Sequence, residues 1–217
     1  MLRVERNFKK RLHMKKIIVL VFLILITHIS LSAKNIEANL LVQKEGLNYE
    51  KNHTEPFTGK AYFFFKNGKT KKVIPYYQGK IDGRLTEWRA DGSVKTIAYF
   101  RNGKQDGEYI AKYINGKKAV VAYFRDGKQD GEVVTWYKSG RKKSSAYYKD
   151  DIQNGDARTW YNNGELKSKA YFNNGKKDGE FTMWHKNGQI AFKAYYKNGQ
   201  PAGRIERWTP EGEKIIK

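Results

Sequence analysis

Residues Tyr171 to Gly199 read YFNNGKKDGEFTMWHKNGQIAFKAYYKNG. Two short runs of β-branched and aromatic residues alternate there with two glycine-bearing segments, and the pattern returns every 24 residues without an insertion. A fixed period of this length marks a repeat architecture and governs every later assignment. Gly59, Gly83, Gly107, Gly131, Gly155, Gly179 and Gly203 form one column, and Gly68, Gly92, Gly116, Gly140, Gly164, Gly188 and Gly212 a second. Gly79, Gly103, Gly127, Gly175 and Gly199 form a third, in which Asp151 replaces one member. Of the 20 glycines only Gly46 lies outside these columns, so glycine here is a positional device.

Glycine recurs where a backbone must turn tightly or take positive φ. The second column is mostly preceded by Asn or Asp, and Asn-Gly between apolar runs is the strongest short hairpin signal. This places two-residue turns at Asn115-Gly116 and its equivalents. The segments NGKQDG (102–107) and NGKKDG (174–179) read as looser connections. Glycines about ten residues apart leave room for strands and none for ordinary helices. The fold class expected is all-β: an elongated array of 24-residue β-hairpins continuing as one antiparallel meander. At about 4.8 Å per strand, six to seven units extend roughly 60 to 65 Å. Each unit touches only its neighbours, and the ends need caps.

Further columns bear on packing. Trp88, Trp136, Trp160, Trp184 and Trp208 are the five tryptophans of the chain and share one position, with Phe64 and Lys112 in the remaining units. Ala98, Ala122, Ala146, Ala170 and Ala194 are each followed by two aromatic residues, such as Tyr147-Tyr148, which alternation sends to opposite faces. With two-residue turns, Trp136 would face Lys143 and Val133 would face Ala146. One face would carry Val133, Ala146, Tyr148 and Tyr137, the other Trp136, Tyr147 and Glu132; a one-residue bulge would exchange them. Packing is the first role of such ladders. The tryptophan column is also a candidate binding surface, because an exposed aromatic stripe on a single sheet implies a partner. Arg141, Lys142 and Lys143, beside Lys138, form the densest basic cluster and are candidate anion-binding residues.

These residues resemble the MORN repeat in its variant form, as found in bacterial exported proteins and in an antitoxin-like family. The resemblance covers about Glu45 to Glu213, and Asp151, Lys112 and Pro75 depart from its columns. It implies a β-hairpin array used for binding, scaffolding or membrane association. MORN repeats also accompany lipid kinases, but a kinase assignment fails on the residues. Gly68-Lys69-Thr70 imitates the end of a P-loop, yet the earlier glycine of that motif is Phe63.

Composition sets the outer limits. The 217 residues hold 15 Tyr, 11 Phe and 5 Trp, too much aromatic surface for a solvated tail. There is no cysteine, which removes disulfides, thiolate sites and cysteine-linked lipid. Met14 to Ala33 reads MKKIIVLVFLILITHISLSA, the layout of a secretory signal peptide, and its apolar run is shorter than a spanning helix needs. Residues 1–33 are therefore expected to be a signal, with Met14 an alternative start, 34–56 an N-terminal cap or half-unit, and 57–217 the repeat domain. The chain has a net charge of +21. Residues 1–33 hold seven of the 43 basic and one of the 22 acidic side chains, so residues 34–217 carry 36 against 21, a net +15.

On an exported chain that charge points to a lipid headgroup, an acidic glycan, a cell-wall polymer or an acidic protein face, and nucleic acid is the weaker reading. The four histidines are dispersed, with no metal spacing. Asp82, Asp106, Asp130 and Asp178 each precede a column glycine and read as turn residues. Glu108, Glu132 and Glu180 should face cationic or Tyr partners across strands. No convergent catalytic group can be assembled, and neither cofactor nor metal is expected. The functional expectation is a non-catalytic exported protein (periplasmic, cell-surface or secreted) that presents a β surface to a protein partner or an anionic surface. The alternative is an antitoxin or immunity protein that neutralises a partner. Oligomeric state is left open, although open sheet edges favour association.

Overall fold

The computed structural model describes residues Lys34 to Ile216; the expected signal peptide lies outside them. They form a meander sheet of 18 strands, together with a two-stranded hairpin of Leu41–Lys44 with Leu47–Glu50. Gly59–Phe64 pairs with Lys34–Glu37 on one side and Thr70–Tyr77 on the other. Successive strands then pair antiparallel in chain order to Glu206–Arg207.

The two kinds of turn are the reverse of the sequence expectation. The tight two-residue turns sit at the third column: Arg101 pairs with Lys104 around Asn102 (φ 50°) and Gly103 (φ 82°). Positive φ at both central residues gives the type I′ turn, whose twist matches that of the strands it joins. Gln78-Gly79, Asp126-Gly127, Asn174-Gly175 and Asn198-Gly199 do the same. The second column instead makes three-residue loops closed by a bulge. At the hairpin tip the Gly140 N–H donates to Tyr137 O at 2.8 Å, and the Tyr137 N–H donates to Arg141 O at 2.9 Å. The register shifts by one residue just before the loop, so Trp136 pairs with Lys142, not Lys143. Upstream of the bulge Val133 pairs with Ala146 and Glu132 with Tyr147, as the alternation requires.

The segment read as a loose connection is a type I′ turn, a two-residue strand such as Lys128–Gln129, and an irregularity at the first-column glycine. Gly131 has φ 131°, and a Cβ added there would lie 3.1 Å from Tyr123 Cβ. The tyrosine of the preceding strand occupies that space, so the column is glycine for close approach as well as for conformation.

The core is one thin layer. Ala61, Ala98, Ala122, Ala170 and Ala194 are buried, and small side chains there let larger rings close over them. Tyr109 meets Phe124 edge-on at 6.3 Å, and Phe181 meets Tyr196 at 6.0 Å and Phe192 at 5.6 Å. Burial is densest at the N-terminal end, where Ile36, Phe57, Ala61, Ile74 and Tyr76 cluster with Leu41 and Leu85 against them.

Candidate functional site: two turn edges and a tyrosine face

The loop edge is built by side chains that reach one unit forward. Tyr113 Oη donates to Trp136 O at 2.7 Å, Tyr137 Oη to Trp160 O at 2.7 Å, and Tyr161 Oη to Trp184 O at 2.9 Å. His185 Nε2 lies 2.8 Å from Trp208 O, and the Arg89 guanidinium donates to Lys112 O. Outside these, Asn115 Oδ1 accepts the Lys117 N–H at 3.2 Å, while its Nδ2 donates to Lys138 O at 2.9 Å. Asn163 and Asn187 repeat both contacts. Asn therefore serves its own loop and the next one, which is why it recurs before the second-column glycine. The sequence signal for this ladder was the polar or aromatic residue after each tryptophan position, at 89, 113, 137, 161 and 185.

The tryptophans are half-buried, and lysines from the preceding hairpin cover two of them. Lys118 Nζ stands 5.9 Å from the centroid of the Trp136 ring and Lys142 Nζ 5.9 Å from that of Trp160. A lysine stem over an indole packs and supplies a cation–π contact together. The basic cluster is divided by the same packing. Arg141 donates to Asn162 O at 2.8 Å along the loop edge, Lys142 covers Trp160, and Lys143 stands 5.9 Å from the Tyr137 ring centroid. The three side chains thus attend three different contacts.

The opposite, type I′ edge gathers positive charge that motif reading overlooked. Lys80, Lys104, Lys128 and Lys176 follow third-column glycines at equivalent positions, and all are exposed. They stack along the edge: a Cβ at Gly103 would be 3.9 Å from Lys80 Cβ, and one at Gly127 3.9 Å from Lys104 Cβ. Backbone rungs hold the stack, with Gly103 N–H on Ile81 O at 2.7 Å and Gly127 N–H on Gln105 O at 2.8 Å. Arg101, Arg125, Lys149 and Lys197 flank it and pair with the column aspartates, as in Lys149 to Asp130 at 2.6 Å and Lys197 to Asp178 at 3.1 Å. The Lys149 hydrogen bond leads the influences that hold the Asp130 carboxyl below its ordinary range. Asp82 meanwhile accepts the Asn102 N–H at 2.9 Å, so the aspartates secure the next turn as well as the cations. Among the described residues, the four stacked lysines make no ion pair.

On the face shared with Glu132, Tyr99, Tyr123, Tyr147, Tyr171 and Tyr195 are exposed. Each sits opposite a charged residue: Arg84, Glu108, Glu132, Asp156 and Glu180 in turn. Tyr123 Oη reaches Glu108 Oε1 at 3.5 Å. The Glu180 carboxyl is lowered first by the Thr182 hydroxyl donating at 2.7 Å, and Lys193 stands at 3.2 Å. Toward the N-terminal end this face opens into a groove of about 980 Å³ bordered by Tyr62, Val73, Arg84, Thr86, Trp88 and Val94. Among the described residues no cluster of three or more His, Cys, Asp or Glu is placed to hold a metal.

No curated protein matches the chain. The family model described as the MORN repeat variant matches residues 153–174 and 177–206. Repeats of this kind are generally protein- or membrane-binding modules. The matched residues share their 24-residue columns with every unit back to Gly59, and the hairpin geometry is common to all, so residues 153–206 match the MORN repeat variant and the preceding units continue the same repeat.

Proposed function

We propose that this protein is a non-catalytic, exported binding or scaffold module that meets an anionic surface, or the acidic face of a protein partner, through its type I′ edge. The observation that carries this reading is the column Lys80, Lys104, Lys128 and Lys176, the first three one hairpin apart and the fourth two hairpins on, past Ile152, and free of ion pairs among the described residues. Lysines at intervals of about 10 Å, and about 20 Å across Ile152, sum into a field that draws a polyanion along the edge, and salt screens it. The net charge of +15 on residues 34–217 adds to that attraction. Export rests on the signal-like layout of Met14 to Ala33.

The test is binding of the full chain to vesicles containing phosphatidylglycerol, against phosphatidylcholine alone, at low and high salt. Binding should need the anionic lipid, fall at high salt, and fall at least tenfold when the four lysines are changed to glutamine. Binding unaltered by salt and by the four substitutions would overturn the electrostatic reading. Capture of one protein at high salt would instead favour a dedicated partner, as in an antitoxin pair.

A further inference from the structure

The tyrosine face differs in chemistry from the lysine edge. Its five tyrosines, 38 to 51% exposed, stand on strands and not on loops. Three of them lie tight over a first-column glycine: a Cβ on Gly107, Gly131 or Gly155 would lie 3.1 to 3.3 Å from the Cβ of Tyr99, Tyr123 or Tyr147. Tyrosine rings have few rotatable bonds and offer flat apolar area at little entropic cost. Between Tyr147 and Tyr171 lies a trough of about 460 Å³, walled by Glu132, Asp156 and Arg158 and floored by Ser145.

Its charges are of mixed sign: Arg84, Arg158 and Lys193 stand among Glu108, Glu132, Asp156 and Glu180. Arg158 donates to Asp156 at 2.9 Å and Lys193 to Glu180 at 3.2 Å, Lys169 stands opposite Arg158, and Glu108 and Glu132 lie between, so neither a polyanion nor a polycation finds a field of one sign. Exposed rings with hydrogen-bonding carboxylates, a guanidinium and a hydroxyl beside them suit an uncharged ligand that has an apolar face and a polar rim. A pyranose ring has both. Equivalent tyrosines lie two strands apart, about 10 Å, which is the length of an extended β-1,4-linked disaccharide.

We propose that the tyrosine face binds a neutral β-1,4-linked glycan, with alternate sugar rings stacked on successive tyrosines and their hydroxyls bonded to Glu132, Asp156 and Arg158. Adjacent strands of a sheet rotate by roughly 20 to 25°, so a straight ligand stays over only two or three successive tyrosines. The bound length is therefore a tetra- to hexasaccharide. This surface is separate from the lysine edge and does not depend on it.

The test is calorimetric titration of the full chain with cello- and chito-oligosaccharides of two to eight sugars. Affinity should rise at least tenfold from disaccharide to hexasaccharide in one or both series, then level off, and should not change with salt. The series that binds names the sugar. Tyr147→Ala with Tyr171→Ala should weaken hexasaccharide binding at least tenfold with the circular dichroism spectrum unchanged, and Tyr147→Phe should retain it. Changing Lys80, Lys104, Lys128 and Lys176 to glutamine should leave it intact, so the two binding surfaces fail separately. No binding of either hexasaccharide at millimolar concentration, equal affinity for two and six sugars, or indifference to the tyrosine pair would overturn the proposal.

Discussion

The Tyr137 hydroxyl donates to the carbonyl of Trp160, 23 residues onward, at 2.7 Å. That bond ties one hairpin to the next at a point where the backbone ladder has already given way to the loop, and Tyr113 and Tyr161 repeat it. Tyr137→Phe keeps the ring and removes only the donor, so a loss of about 1 kcal/mol is expected by urea denaturation. Because coupling is between nearest neighbours, Tyr113→Phe and Tyr161→Phe, two units apart, should be close to additive.

First- and second-column glycines are required for different reasons, which substitution can separate. At Gly116 an added Cβ meets nothing within 4 Å, so Gly116→Ala should cost only the left-handed conformation (φ 79°), roughly 1 to 2 kcal/mol. At Gly131 the same Cβ also meets Tyr123, and Gly131→Ala should cost about 1 kcal/mol more. A double-mutant cycle with Tyr123→Gly, which removes the Cβ that lies at 3.1 Å, should recover that extra part. Equal losses in the presence and absence of the Tyr123 side chain would show that it is not the obstacle.

Asp151 has φ 68° where the other units have glycine, and its Oδ1 accepts the Gln129 N–H at 2.7 Å. The carboxylate offsets the strain with a bond that glycine cannot make. Asp151→Asn should therefore stay within about 0.5 kcal/mol, because Asn keeps the acceptor and tolerates the left-handed region. Asp151→Ala loses the bond and keeps the strain, for about 1 to 2 kcal/mol, and Asp151→Gly should fall between them.

Asp130 carries the acid response of the type I′ edge. Its carboxyl is lowered in the folded chain, first by the Lys149 hydrogen bond and further by Arg125. A carboxyl lowered on folding contributes stability that is complete above its unfolded value, near pH 4, and is lost as pH falls through the folded value. Asp130→Asn should thus be less stable than the parent at pH 7 and lose less as the pH is taken from 5 to 2. Parallel thermal melting curves for the two chains across that range would contradict this.

Much of the architecture was legible along the chain. A 24-residue recurrence of glycine and alternating aromatic runs demands hairpins, and the Val133–Ala146 and Glu132–Tyr147 pairings follow from alternation alone. The turns were not legible in the same way. Asn115-Gly116 and Asn102-Gly103 are the same dipeptide, and which one closes in two residues depends on where the flanking strands stop pairing. That is a property of the ladder, and it moved Trp136 from Lys143 to Lys142.

The repeat, the meander, the charge and the absence of cysteine chemistry were properties of the sequence by itself, because each depends on residue type and spacing along one dimension. Only the tertiary structure decided which basic residues act together. Arg141, Lys142 and Lys143 are adjacent in the chain, yet strand alternation and a bulge send them to three different contacts. Lys80, Lys104, Lys128 and Lys176 stand 24, 24 and 48 residues from one to the next and come into one column, because a meander returns every second strand to the same edge.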